Sequence, residues 1–256
     1  MKHGSFFSGI GGFDLATEMM GWENVFHCEI EEYKRNVLKR NFKDSISYED
    51  ITNFDGTKYR NTIDIVSGGF PCQDVSISQT SKKVKEKGIR GQRTGLWSEY
   101  ARVIGEIRPS FIIFENSPML LSRGFEVILC DLSKLGYNVE WRLFYASQFG
   151  FPHLRERLFG IAYASGIGCE NIVKKGGILQ KVLPKQAPRQ SPLPIPTTRF
   201  HGKSSYENVR MDDGFSKELD KRLIHGFGNA IIPSIAYSIF YELEQELIKI
   251  NYSYKQ

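Results

Sequence analysis

The sequence predicts an α/β fold built on a mainly parallel sheet. Two observations carry that expectation. Short apolar runs alternate with amphipathic stretches over the first two-thirds of the chain. Glycines, acids and a cysteine fall directly after several of those runs, where ligands sit in open parallel sheets.

The elements are expected in this order. Gly4 to Phe7 reads as a strand, followed by a Gly-rich turn and a helix from about Phe13 to Met20. Val25 to Ile30 reads as a second strand and Tyr33 to Phe42 as its helix, with another possible strand near Ser45 to Tyr48. Ile63 to Ser67 and Phe111 to Phe114 are clear strands, and helical patterns cover Trp97 to Ile107 and Phe125 to Leu135. Val139 to Tyr145 and Arg157 to Tyr163 read as closing strands. The pattern breaks near Ser165. From there to His225 the chain is polar and irregular, with eleven Lys or Arg against six Asp or Glu. Pro184, Pro188, Pro192, Pro194 and Pro196 forbid a continuous helix there. Regular periodicity returns from Ile231 to Ile250, as a C-terminal helix. Three units are therefore expected: 1–164 as the α/β body, 165–225 as an irregular insert, and 226–256 packing back on the body.

At 256 residues, 41% apolar and 25% charged, the composition is that of an ordinary globular protein. No apolar run reaches the ~20 residues of a membrane span, so no membrane partner is expected. Gly4 and Gly9 interrupt the N-terminus too early for a signal peptide, which leads to a cytoplasmic expectation. Cys28, Cys72, Cys130 and Cys169 are far apart and form no Cys-x-x-Cys pair, so neither a metal site nor a disulfide framework is expected. Net charge is +5. Part of that excess is concentrated just after Cys72, where Lys82, Lys83, Lys85, Lys87, Arg90 and Arg93 face one acid, Glu86. A solvated loop is the common reading of such a run, and contact with a polyanion is the other.

Phe7-Ser8-Gly9-Ile10-Gly11-Gly12-Phe13 follows the first strand and opens the first helix. Glycines there permit a sharp turn and let a ligand approach the main chain. Asp14 stands where a dinucleotide fingerprint would place a third small residue, which argues against a nicotinamide oxidoreductase. Glu29 ends the second strand, where an acid can accept from ribose hydroxyls. Asp50 could bind an adenine amino group, with Ile51 beside the ring. For either acid, a helix cap or surface solvation is the alternative. Together they suggest an adenosine-containing cofactor.

Gly68-Gly69-Phe70-Pro71-Cys72-Gln73 places Cys72 at the carboxyl edge of the sheet, where a nearby cation or helix N-terminus could activate its thiol. Glu115-Asn116 ends another strand. Arg155 and Arg157 alternate on an extended segment and so point to one side.

These residues resemble the C5-cytosine DNA methyltransferase family. The matching blocks are Phe7 to Phe13, Gly69 to Gln73, Glu115-Asn116, Arg155-Glu156-Arg157 and Gly228-Asn229-Ala230, in the family's order. The likeness covers nearly everything except Ser165 to His225. It implies a Rossmann-like S-adenosylmethionine-dependent methyltransferase sheet with a small irregular target-recognition region. Ser5, Ser117 and His153 depart from the commoner Asp, Val and Gln.

The resemblance also implies roles. Cytosine C5 is a poor nucleophile until a thiolate adds at C6, and that attack is assigned to Cys72. Glu115 would hold a proton at N3, which predicts a raised pKa. Arg157 would stand near the base O2 and Arg155 nearer a phosphate. The implied cofactor is S-adenosylmethionine, with S-adenosylhomocysteine as product. Its pocket would draw on Phe7, Gly9, Ile10, Gly11, Gly12, Glu29, Ile30, Asp50, Ile51, Pro71, Leu96, Asn229 and Ile231. The segment from Ser76 to Gly95 would be a mobile catalytic loop. Double-stranded DNA, its cytosine flipped from the stack, would meet Gln73, Ser76, Lys82, Lys83, Lys85, Lys87, Arg90 and Arg93. A monomer is expected, in a restriction-modification or phage-protection setting, with a cognate restriction endonuclease as a possible partner. Two rivals stay open: an RNA cytosine-5 methyltransferase, and a catalytically inactive DNA-binding protein.

Overall fold

The computed structural model describes residues 1–71, 95–151, 154–166, 177–185 and 231–253. Its centre is a seven-stranded sheet of β1 (Lys2–Phe6), β2 (Glu23–Cys28), β3 (Ile46–Tyr48), β4 (Ile65–Gly68), β5 (Phe111–Asn116), β6 (Tyr137–Tyr145) and β7 (Glu156–Ala164). The spatial order is β3-β2-β1-β4-β5-β7-β6. All pairings from β3 to β5 are parallel, and β7 runs antiparallel to both β5 and β6. The expected mainly parallel α/β sheet is thus present. The chain winds outward from β1 to β3, then restarts at β4 on the other side of β1. Such a switch point opens a crevice beyond the carboxyl ends of the central strands.

Among the described residues five helices cover the sheet: α1 (Gly12–Met19), α2 (Glu32–Asn41), α3 (Leu96–Ile107), α4 (Phe125–Lys134) and α5 (Pro233–Ser253). β5 explains why both faces are covered. Every residue from Phe111 to Asn116 is buried, as expected of a strand packed on two sides. Ile112 and Phe114 join Tyr100, Ile104, Ile107, Ile128 and Leu132 in one core. Phe111 and Ile113 join Phe13, Ile161, Ile239, Phe240 and Leu243 in the other.

β1 ends one residue earlier than the sequence suggests. Phe7 has φ 51°, a left-handed backbone that no strand residue adopts. The sharp turn begins at Phe7, and the edge of its ring on Tyr100, 5.8 Å between centroids, helps to hold it. The C-terminal helix does fold back on the first elements. Trp22 Nε1 donates to Glu244 Oε1 at 2.9 Å, and the Trp22 and Phe240 rings lie 5.1 Å apart. A Cβ on Gly12 would lie 2.6 Å from the Ile231 carbonyl oxygen, so only glycine permits this approach.

Within the stretch expected to be irregular, residues 177–185 are tied to the body. Ile178, Leu179 and Val182 are buried. Glu140 of β6 accepts from the Ile178 and Leu179 N–H groups at 2.8 and 3.2 Å, while Arg142 Nη1 donates to the Leu179 carbonyl at 2.8 Å. Lys181 and Lys185 pair with Glu246 and Glu242 of α5 at 3.1 and 3.0 Å. The charges that look like an excess in sequence are locally satisfied here. Among the described residues no helix is long and apolar enough to cross a membrane.

Beneath the glycine turn lies a buried polar network. Ser5 Oγ donates to the Asp14 carboxyl at 2.9 Å and lies 2.6 Å from Ser8 Oγ. Burial raises the Asp14 carboxyl from 3.8 to about 7, against the lowering hydrogen bond from Ser5. The folded chain therefore keeps a proton that the unfolded chain releases near pH 4. Stability falls as pH climbs from about 4 to about 7, and this loss persists at higher pH. Asp14→Asn keeps an acceptor and removes the fall. Calorimetry is expected to show it melting a few °C above wild type near pH 8 and level with it near pH 4; a gap independent of pH would remove Asp14 as its source.

Candidate active site

A cleft of about 490 Å³ opens at the carboxyl edge of the sheet, a size ordinary for small-molecule sites. At one end lie Phe7 and Gly9 from the turn after β1, Glu29 and Ile30 after β2, and Asp50 and Ile51 after β3. Pro71 and Leu96 line it, and Glu115, Arg155 and Arg157 stand at the other end.

The glycine turn is shaped by its backbone. Gly9 and Gly11 adopt φ 57° and 91°. A Cβ on Gly11 would come within 2.4 Å of the Phe42 ring, whereas one on Gly9 would meet open space. Gly11 therefore serves packing, and Gly9 sits at the cleft.

Glu29 is buried, and its carboxylate is fixed by main-chain donors. Oε2 accepts from Gly9 N at 2.8 Å and Oε1 from Glu31 N at 3.0 Å. A carboxylate has about four acceptor positions, so two bonds leave room for a diol. Asp50 shows the helix-cap alternative posed by the sequence and also stands at the cleft. Its Oδ1 caps the short turn Ile51–Asn53 by accepting from Thr52 N at 2.9 Å, and the residue also lines the cleft. Two carboxylates able to accept from hydroxyl or amine donors thus share the cleft with the apolar surface of Phe7, Ile30, Ile51 and Leu96.

At the opposite end Glu115 is 7% exposed. Arg157 Nε lies 2.8 Å from its Oε1, and Arg157 Nη1 donates to the Glu156 carbonyl at 2.8 Å. Strand register explains the meeting. In the antiparallel pair, Asn116 faces Leu158 and Glu115 faces Phe159, so the start of β7 reaches the end of β5. Burial pushes the Glu115 carboxyl up, opposed by the charges of Arg157 and Arg155 and by the Arg157 hydrogen bond; the net shift is upward. A carboxyl poised this way can share a proton with a ring nitrogen, and guanidinium groups beside it can stabilise an anion.

Eleven of the expected residues share this cleft: Phe7, Gly9, Glu29, Ile30, Asp50, Ile51, Pro71, Leu96, Glu115, Arg155 and Arg157. Ile10, Gly11, Gly12 and Ile231 do not line it. Gly11 and Gly12 shape the turn, and Ile231 packs against Gly12 and near Gly69. Cys72, Gln73, Ser76, Lys82, Lys83, Lys85, Lys87, Arg90, Arg93 and Asn229 lie outside the described residues.

Sequence reasoning missed Lys34, Glu31, Glu49 and Ser117, which also line the cleft, and gave Asn116 no role. Lys34 Nζ pairs with Glu31 at 2.5 Å, and their i,i+3 spacing was the available signal. Asn116 Nδ2 donates to the Phe70 carbonyl at 2.9 Å, and its Oδ1 accepts from Ser117 N at 2.8 Å. It thereby ties the strand carrying Glu115 to the Gly-Phe-Pro segment. Cys28 also reaches the cleft, but burial, with Glu29 and Asp50 nearby, pushes its thiol up to about 12, which removes it as a nucleophile at neutral pH.

The family model described as C-5 cytosine-specific DNA methylase matches residues 1–226. Among similar proteins, the type II methyltransferase M.Sau3AI of Staphylococcus aureus is 33% identical over 61% of this chain and 42% of its own length. The type II methyltransferase M.HhaI of Haemophilus parahaemolyticus is 32% identical over 64% of this chain and 50% of its own length. The chain thus spans half or less of the length of these two relatives. Two solved structures share the fold. The Dnmt2 methyltransferase of S. pombe aligns with a TM-score of 0.54 and 20% identity, over 66% of this chain and 52% of that one. A DNMT2 variant of Spodoptera frugiperda aligns with a TM-score of 0.54 and 19% identity, over 65% and 50%.

Because Arg157 opposes the burial of Glu115, Arg157→Met is expected to raise the Glu115 pKa further. Carboxyl-carbon NMR titration of labelled protein reads that shift directly. An unchanged titration would mean that the ion pair is not what restrains Glu115.

Proposed function

The chain belongs to the C-5 cytosine-specific DNA methylase family, and we propose that it methylates carbon 5 of cytosine in DNA with S-adenosylmethionine as donor. The observation that carries this reading is the pairing of buried Glu115 with Arg157 in the same cleft as Glu29, Asp50 and the glycine turn. One end suits a nucleoside, and the other suits a base that becomes negatively charged.

The bound cofactor would supply an electrophilic methyl group on sulfur. Everything else falls to the protein. Glu29 and Asp50 would hold the adenosine hydroxyls and amine, and Phe7, Ile30, Ile51 and Leu96 would supply apolar surface for it. The Cys72 thiolate adds to C6, forming a sulfur–carbon bond and sending electron density toward N3. Glu115 holds a proton at N3, and Arg157 with Arg155 stabilises the charge that remains. The thioether at C6 makes C5 nucleophilic enough to accept the methyl group that the cofactor would supply, with its methyl–sulfur bond broken and S-adenosylhomocysteine as the leaving product. Transfer of the C5 proton to water re-forms the ring double bond and expels the Cys72 thiolate, while the N3 proton returns to Glu115, so the enzyme is regenerated. C5 and C6 are inaccessible in a stacked duplex, so the cytosine is extruded first. The basic residues from Lys82 to Arg93 are assigned to DNA phosphates, and the 165–225 region to target recognition. We place the enzyme in a restriction-modification or phage-protection setting, acting as a monomer.

Cys72→Ser and Glu115→Gln test the chemistry. Cys72→Ser is expected to retain S-adenosylhomocysteine binding and make no 5-methylcytosine, read by nucleoside mass spectrometry. Glu115→Gln is expected to lower turnover by roughly 10²–10⁴-fold. Wild type should form a covalent adduct with 5-fluorocytosine DNA, and Cys72→Ser should not. Turnover by Cys72→Ser equal to wild type would sink the mechanism; methylation of RNA with none of DNA would transfer the reading to the RNA rival.

Replacing Lys82, Lys83, Lys85 and Lys87 together with Ala is expected to flatten the salt dependence of DNA binding by up to about 3–4 in logarithmic slope. An unchanged slope would return this run to solvent.

A further inference from the structure

The acid-bearing turns after β2 and β3 stand beyond the last rung of their ladder. The β2–β3 pairing ends at Cys28 and Tyr48, and one more bond, from Glu29 N to the Tyr48 carbonyl at 3.1 Å, closes it. Past that point Glu29-Ile30 and Glu49-Asp50 have no main-chain connection to each other among the hydrogen bonds of the described residues. Yet their carboxylates must hold a fixed separation if both are to grip one nucleoside.

Arg35 spans this gap. Its Nη1 donates to the Glu29 carbonyl at 2.9 Å and also to the Ile30 carbonyl. Its Nη2 lies 3.3 Å from Glu49 Oε1. The Arg35 side chain is only 11% exposed, against 69% for Glu49. One planar guanidinium thus joins the turn that carries Glu29 to the turn that carries Asp50, taking over where the ladder stops. Lysine, with a single nitrogen, lacks the rigid fork needed to hold the three oxygens at once.

The position itself marks a special role. Arg35 is in the first turn of α2, where the helix dipole disfavours a cation. Here the side chain meets carbonyl oxygens and a carboxylate that outweigh the dipole. We infer that Arg35 is a positioning residue for cofactor binding, a latch that sets the distance between the ribose-binding and adenine-binding carboxylates through the Glu29 and Ile30 carbonyls and Glu49. This rests on the cofactor reading given above. Arg35 itself touches no reacting atom. Its contribution is pre-organisation, which appears in affinity and not in the chemical step.

The test measures S-adenosylhomocysteine binding by calorimetry, alongside methylation kinetics, for the full chain. Arg35→Ala is expected to weaken binding by about tenfold and to raise KM for S-adenosylmethionine similarly, with kcat at saturating cofactor within about twofold of wild type. Arg35→Lys should recover only part of the affinity. Glu49→Gln removes the charge at the other end of the latch, on a residue that also lines the cleft, and should weaken binding about two- to threefold; Arg35→Lys, which leaves the cleft lining unchanged, decides the matter if Arg35→Ala does not fold. If wild type binds S-adenosylhomocysteine and both Arg35→Ala and Glu49→Gln bind it equally well, the latch is overturned while the cofactor reading stands. A fall in kcat with KM unchanged also overturns it. Failure of wild type to bind would overturn the cofactor reading, and the latch with it.

Discussion

A single reversed strand gives this site its chemistry. In a purely parallel sheet only the ends of strands reach the ligand edge. Here β7 runs against β5, with Asn116 opposite Leu158, so a strand beginning reaches that same edge. Arg155 and Arg157 enter the cleft from that beginning, and Glu115 enters from the strand end beside them. The carboxyl and its guanidinium partner are therefore neighbours in the sheet although remote in sequence. Burial raises the proton affinity of the carboxyl, and the arginines limit the rise.

The cleft is electrostatically divided. Glu29, Glu31, Glu49 and Asp50 gather near β2 and β3, with Lys34 among them. Glu115, Arg155 and Arg157 gather near β5 and β7. The acid-rich end is organised by hydrogen bonds from the main chain to side chains: Gly9 and Glu31 N–H groups on Glu29, and Thr52 N–H on Asp50. Further back, Arg102 of α3 donates to the Ile51 and Phe54 carbonyls at 2.8 and 3.0 Å, bracing the wall that carries Asp50. Fixed donors and carbonyl clamps let a few short turns hold a shape that no ladder enforces.

The distant C-terminal helix completes this architecture. α5 covers the face of the sheet that α1 alone leaves open, through Ile235, Ile239, Phe240 and Leu243. Ile231, two residues before this helix, presses on Gly12 and comes near Gly69, so the two glycine segments flanking the cleft share one apolar neighbour. The 177–185 segment is pinned between β6 and the same helix. Its charges read as a basic excess in sequence because their acidic partners lie in elements far along the chain.

The sequence alone determined the α/β class, the order of the elements and most residues of the cleft. Periodicity and turn chemistry are local properties, and in such sheets the residues after each strand converge on one edge. Phe7, Glu29, Asp50 and Glu115 were legible for that reason. Pairing was not. That Arg157 grips Glu115, that Arg35 bridges two turns and that Asp14 is buried against Ser5 depend on register, strand direction and helix docking. These are set by long-range burial and hydrogen bonding, which no local pattern encodes. Gly12 shows the same division: its place in the turn is plain from sequence, whereas its need to be glycine comes from Ile231, brought against it only by the folded chain.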